Sequence, residues 1–311
     1  MRQRGQGLGY AAALGSAAFV GLFTVLNKWL LGEQVPALTA AAYTYAAAGV
    51  ALSAWALRAG GLNLRRPCVL AGWLTAGSVV GPAFYFLGLK LTSGVQGVLM
   101  INLEAVFTAF LAFALFKERL TAVTAVAGLA VLGGGIWISW PAAGGRLLAG
   151  HTLGDGLMAI GYLGWATENN LGRLLGETIP TVTLVCVKSL VAGGMMAVLA
   201  LAFHQPLAVS WHVVPGIVAS GAVALGLSLA LFYWAMRHIG AGRTGLIAST
   251  STLWGVIAAL IFLRERLDAQ VVAGGLLMLA GLAAFAWETA VSSPDARAAA
   301  ATLEPGQPST R

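Results

Sequence analysis

An apolar run that stops abruptly on three charges occurs twice in this sequence. Leu103–Leu120 reads LEAVFTAFLAFALFKERL, and Thr250–Leu267 reads TSTLWGVIAALIFLRERL. Glu118 and Glu265 stand 147 residues apart, and that offset runs without a gap from Phe84 to Trp140. It places Lys90 on Arg237, Leu99 on Leu246, Gly128 on Gly275, Gly134 on Gly281 and Trp140 on Trp287. At the front of each half the offset is 144: Leu30–Pro36 (LLGEQVP) returns as Leu174–Pro180 (LLGETIP), with Gly49 on Gly193. Such a period is too long for a solenoid, so the chain is a duplicated half-protein.

Composition says where the halves live. Apolar residues make up 59% of the chain and charged ones 9%, against about 25% charge in soluble domains. Apolar runs of about 18–25 residues, each enough to cross about 30 Å of hydrocarbon, recur ten times. They lie near 8–31, 38–57, 68–89, 94–116, 121–140, 153–172, 180–203, 213–236, 244–263 and 268–287. The first resembles a signal peptide in its small residues and its leading Arg2 and Arg4, but it is too long and its repeat partner is internal. Cys68 and Cys186 both fall within apolar runs, so they imply neither a disulfide framework nor a metal site.

The net charge of +7 would suggest nucleic acid in a soluble protein; between apolar spans it is a topology signal. Ten spans put both termini on one side. With that side cytoplasmic, the inner segments hold twelve Lys and Arg and the outer ones five, with Lys188 inside a span. The positive-inside bias therefore favours cytoplasmic termini. Five spans per half is odd, so the second half enters the membrane inverted. Inverted repeats around a midplane site are a secondary-transporter architecture. The expected fold is all-α and integral to the membrane: ten transmembrane helices in two inverted five-helix repeats around a central cavity. The repeats cover residues 1–146 and 147–290, and 291–311, rich in Ala, Ser, Pro and Thr, read as a disordered cytoplasmic tail.

The paired blocks FKERL and LRERL, the Gly-rich spans after them (Gly128, Gly133, Gly134, Gly135; Gly274, Gly275, Gly281) and the run at Ser93–Phe113 resemble the drug/metabolite transporter superfamily, whose EamA-type domain has five helices and is duplicated. Within it the chain looks most like bacterial amino-acid exporters, including those for aromatic amino acids. The resemblance implies a cavity lined by spans 1, 3, 4, 6, 8 and 9. Many members carry Pro near the start of spans 4 and 9, where this chain has Ala105 and Thr252.

Ionisable groups near mid-membrane cost about 2.5–3.5 kcal/mol on insertion scales, so each needs a partner or a role. Glu104 lies about 15 Å into the fourth span, with Asn102 on a different face. It reads as a contact for a substrate amino group, a proton site or a structural hydrogen bond, and its repeat counterpart is the uncharged Ser251. Glu168 and Lys188 sit at similar depths in consecutive spans and can meet as an ion pair; proton relay and carboxylate binding are the alternatives. Asn169 and Asn170 add polar surface beside them.

Tyr162 and Trp165 share a helix face. Trp254 follows a hydroxyl run, and Tyr85 lies deep in the third span. Aromatic walls with a few polar groups describe a small-molecule cavity. Trp29, Trp55, Trp140, Trp211 and Trp287, all near span ends, read instead as interfacial anchors. Glu118 and Glu265 read as locally ion-paired between basic neighbours. Lys28 reads as a snorkelling group or an outer gate, and the glycines of spans 5 and 10 as close helix contacts or a dimer seam.

Enzyme motifs and phosphate loops are absent from the sequence, so no cofactor is called for and movement relies on solute or ion gradients. The expectation is a secondary transporter in the bacterial inner membrane, a monomer or homodimer, that exports amino acids by alternating access and binds no nucleic acid. Cationic drugs on the same scaffold are the alternative.

Overall fold

The computed structural model describes residues 2–59, 67–117, 121–140, 151–176 and 179–291, and all regular structure among them is helical. The expectations for Glu118, for the boundary between the halves at 146 and for the tail beyond 291 fall outside those residues.

The two halves repeat the same order of elements. In the first, α1 (Arg2–Gly32) and α2 (Ala37–Ala59) are unbroken. A third rod runs through α3 (Pro67–Leu74), a π-helical stretch (Thr75–Val80) and α4 (Gly81–Leu91). A fourth is split into α5 (Gly94–Met100) and α6 (Asn102–Phe116), and α7 (Ala122–Ser139) follows. The second half has α8 (His151–Gly176) and α9 (Thr181–Ala202), then α10 (Val214–Val218), a π-helical stretch (Ala219–Leu227) and α11 (Ser228–Ile239). It ends with α12 (Ala241–Ala248), α13 (Ser251–Phe262) and α14 (Ala269–Val291).

Local chemistry explains the joints. Ser93 and Gln96 form a capping box that starts α5, and Thr121 caps α7. The fourth rod breaks at Ile101, and its counterpart breaks at Ser249 and Thr250. No proline is needed. Asn102 Nδ2 donates to Leu99 O at 2.9 Å and Thr250 Oγ1 to Ile247 O at 2.7 Å, so side chains take carbonyls that the helix would otherwise use. Lys117 and Arg264, equivalent positions just past α6 and α13, both take left-handed backbone (φ 55 and 52), the common way to end a helix.

Equivalent helices of the two halves pack on each other in reciprocal pairs. In α2 and α9, Gly49 meets Leu190 while Gly193 meets Ala42 and Ala46. In α7 and α14, Gly134 meets Met278 while Gly281 meets Val131. As one residue number rises its partner's falls, so both pairs run antiparallel. A methyl built on Gly134 would sit 2.5 Å from Met278 Cγ and 2.6 Å from Gly274 O. Small residues at such seams let backbones approach where lipid removes the hydrophobic drive for helices to associate. The remaining contacts obey the same exchange: α1 lies against α11 and α13, as α8 lies against α4 and α6.

Among the described residues, eight helices are long and apolar enough to cross a membrane: Gly7–Gly32, Ala37–Ala59, Cys68–Leu91, Gly94–Phe116, Ala122–Ser139, Thr181–Ala202, Trp211–Ile239 and Ala269–Glu288. Two of the ten apolar runs expected to span fall outside that set. The ninth apolar run is not one helix, because the break at Ser249 and Thr250 leaves α13 only 12 residues long. The sixth, α8, has the length at 26 residues, but Asp155, Glu168, Asn169 and Asn170 lower its hydropathy. Large apolar side chains such as Val126, Leu129, Ile136, Phe262 and Leu276 are exposed, forming the surface that lipid covers.

The packing carries a test. Gly134→Leu overfills the α7–α14 seam and is expected to lower stability by about 1–3 kcal/mol, read as a drop in the melting temperature of the purified protein. Gly194→Ala, with nothing within 4 Å of the added methyl, is expected to leave it unchanged or raise it.

Candidate functional site

Three of the expected site residues come together as one aromatic cluster. The Tyr85 ring lies 5.9 Å from Tyr162 and 5.1 Å from Trp165, and Tyr162 lies 5.6 Å from Trp165. Phe23 stacks on Tyr85 at 5.8 Å from the opposite side. These rings were expected as open cavity walls. Tyr85 and Tyr162 are instead fully buried, with satisfied hydroxyls: Tyr85 Oη donates to Thr24 Oγ1 at 2.9 Å and Tyr162 Oη to Gly97 O at 3.2 Å. They make a solid floor across the middle of the bundle.

Beside this floor lies a polar patch. Asn169 Nδ2 donates to Glu104 Oε1 at 2.8 Å and reaches Thr108 Oγ1 at 3.4 Å. Glu104 and Thr108 are one helical turn apart on α6 and share its face. Asn169 is exposed, yet it sits nine residues, about two and a half turns, beyond Ile160, which lies on the exposed apolar stripe of α8 with Leu153 and Leu163. It therefore points away from the lipid face, on the side of Tyr162. Asn169 is thus an exposed amide on the inner face, bonded across to α6. Among the described residues no cation lies within ion-pair distance of Glu104.

Glu168 is different. Lys188 Nζ donates to its Oε2 at 2.5 Å across α8 and α9, and the carboxylate rests against Gly77 in the first π-helical stretch, where a methyl would sit 2.3 Å from Glu168 Cδ. The pair is neutral and enclosed, with side chains 7% and 19% exposed. Asn170 bonds to the Thr108 and Ala166 carbonyls, at 3.1 and 2.9 Å.

The remaining expected residues lie elsewhere. Asn102 is buried, and its Oδ1 accepts from Thr252 Oγ1 at 3.0 Å, so it joins the breaks of the two split rods. Ser251 lies next to that joint, and its carbonyl faces Gly21. Trp254 is 42% exposed and shares its stripe with the exposed Leu253, Ile257 and Ile261. The structure does not bring it to the aromatic cluster, because the rotation of α13 is set by its packing on α1.

The opposite end of the bundle is tied shut. Lys28 Nζ donates to Leu89 O at 3.0 Å and Thr92 O at 2.5 Å. Thr92 Oγ1 donates to Asp155 Oδ1 at 2.6 Å. Glu265 accepts from Gly94 N at 2.6 Å and Val95 N at 2.8 Å. Local ion pairing was expected for Glu265. It instead caps a helix of the other half, where the N-terminal dipole favours a carboxylate. Lys28, expected to snorkel, serves as a donor to the last carbonyls of α4.

Sequence reading missed Thr108 and gave Asn169 only a minor role. The i, i+4 spacing of Glu104 and Thr108 was the available signal; the approach of α8 had none. The comparisons bear on what this site serves. The profile of the EamA-like transporter family matches residues 7–140 and 152–287, one repeat each. The chain belongs to the EamA-like transporter family. It is 26% identical over 296 residues to an uncharacterized transporter of Methanothermobacter thermautotrophicus, covering 90% of this chain and 86% of that one. An uncharacterized protein of Pseudomonas aeruginosa is 28% identical over 223 residues, 70% of this chain and 75% of its own. A solved crystal structure shares the fold with TM-score 0.62 at 20% identity, covering 94% of this chain and all of its own.

The enclosed pair yields a prediction. Lys188→Met leaves Glu168 buried without its cation and is expected to cost about 3–5 kcal/mol. Adding Glu168→Gln to that variant recovers most of the loss. The thermal melts of the two single variants and the double variant measure the coupling directly.

Proposed function

We propose that this transporter exports amine-bearing solutes, amino acids with neutral or aromatic side chains, across a bacterial inner membrane. The observation that carries the reading is Glu104: a carboxylate on the inner face of α6, held by the neutral Asn169 and with no cation in ion-pair distance among the described residues, while the neighbouring Glu168 already has one. A substrate ammonium supplies the missing charge. Asn169 and Thr108 offer neutral polar groups for the remainder of the zwitterion, and Trp165 and Tyr162 stand behind them.

The chain would cross the membrane ten times, with α8 as one crossing and α12 with α13 as another. The contacts support this count. Residues assigned to one side by alternating crossings, such as Lys28, Thr92, Asp155 and Glu265, meet at one end. Tyr10 and Arg243, assigned to the other side, meet at 3.2 Å. Both termini would be cytoplasmic, from the bias of basic residues. Antiparallel packing of equivalent helices fits alternating access by rocking of one repeat against the other. The exposed amide of Asn169 and the tied end at Glu265 correspond to an inward-facing form.

A second reading is export of organic cations. It is favoured by one observation: Lys188, the nearby cation, is already neutralised and has no spare charge for a substrate carboxylate. Counterflow in proteoliposomes separates the two, using phenylalanine against phenethylamine, which keeps the ring and amine and lacks the carboxylate. Phenylalanine is expected to exchange and phenethylamine to be poor; the reverse selects the cation reading. In either case Glu104→Gln, which keeps shape and removes charge, is expected to cut exchange by on the order of 10-fold or more, the scale of one charge-assisted contact. Unchanged exchange in Glu104→Gln sinks the role given to that carboxylate.

A further inference from the structure

A cavity of about 560 Å³ opens at the end of the bundle where α2 and α11 finish and α9 begins. Arg58, in the last turn of α2, and Arg237, in the last turn of α11, border it. Neither guanidinium has a hydrogen bond or ion pair among the described residues. Trp55 and Tyr233 meet edge to face at 6.5 Å and form one wall, with Met236 beside them. Thr181, the first residue of α9, forms part of the lining, and that helix starts without a side-chain cap. Two arginines without a partner among the described residues and the first residue of α9 therefore face one space.

The fold does not require this arrangement. The equivalent place at the other end of the bundle lies where α2 starts. There Leu38 N donates to Gln205 Oε1 at 3.1 Å and Thr39 Oγ1 to Pro206 O at 2.9 Å. The positions matching Trp55, Arg58 and Tyr233 are Leu199, Ala202 and the fully buried Phe86, and only Arg237 keeps a basic match, Lys90. That end is capped and filled from within the chain; this one is built for an occupant.

We propose that the cavity binds the phosphate head group of an anionic phospholipid. Guanidinium forks and helix N-termini both suit phosphate oxygens. Trp and Tyr sit naturally at head-group depth, and basic pockets between transmembrane helices are recognised lipid sites. Leu57, 85% exposed on the last turns of α2, offers apolar surface for the chains of the same lipid. Free phosphate shares the head-group chemistry but gains nothing from the aromatic wall or from Leu57.

The test is native mass spectrometry and thermal melting of delipidated full-length protein after adding phosphatidylglycerol, phosphatidylcholine or inorganic phosphate. Wild type is expected to retain phosphatidylglycerol and melt higher with it. The Arg58→Gln/Arg237→Gln variant is expected to lose that retention by about 30-fold, from about 1 kcal/mol per basic residue. Arg243→Gln, away from the cavity, keeps it. Equal retention by the double variant overturns the site, and so does equal retention of phosphatidylcholine. The same stabilisation by inorganic phosphate assigns the cavity to a soluble anion and overturns the lipid.

Discussion

Backbone meeting backbone through glycine holds this molecule together. In hydrocarbon the usual reason for helices to associate is gone, since lipid tails are as apolar as leucine, and what remains is close packing and interhelical hydrogen bonding. Gly49 and Gly193 supply it at one seam and Gly134 and Gly281 at another. Each pair is two copies of one ancestral position pressed against opposite members of the same joint. Duplication thus doubled the chain and also made its own partner, because a surface that matches an inverted copy of itself closes without any new complementarity.

Charge is handled by the same economy. Three ionised groups have a counterpart or a helix end: Glu168 has Lys188, Glu265 has the start of α5, and Lys28 has the carbonyls ending α4. Burying charge is tolerable on those terms. Glu104, with an amide for company, has no such counterpart among the described residues. Since the other repeat has Ser251 at that position, a bound solute would lie off the symmetry axis.

Much of this was legible before the fold was seen. The duplication and the order of the apolar runs follow from sequence, because the repeat offset and the run lengths are read directly from the residues. Direction does not. Trp165 and Trp254 have similar depth and composition around them, yet one turns to the floor of rings and the other to the lipid face, and only the neighbour each helix packs on decides that. The same limit hid the cap made by Glu265. Flanking basic residues suggested a local partner, while the true one is 171 residues away. The splits at Ile101 and Ser249 were also invisible as such, since the apolar run continues through both and only Asn102 and Thr250 betray competition for carbonyls.

Those two splits are joined to each other. Thr252 on one side donates to Asn102 on the other, at the level where neither rod is continuous. A rod interrupted in mid-membrane is a natural pivot; two pivots bolted together are a single axle. Any shift of one arm would be felt by the matching arm of its twin through one hydroxyl and one amide.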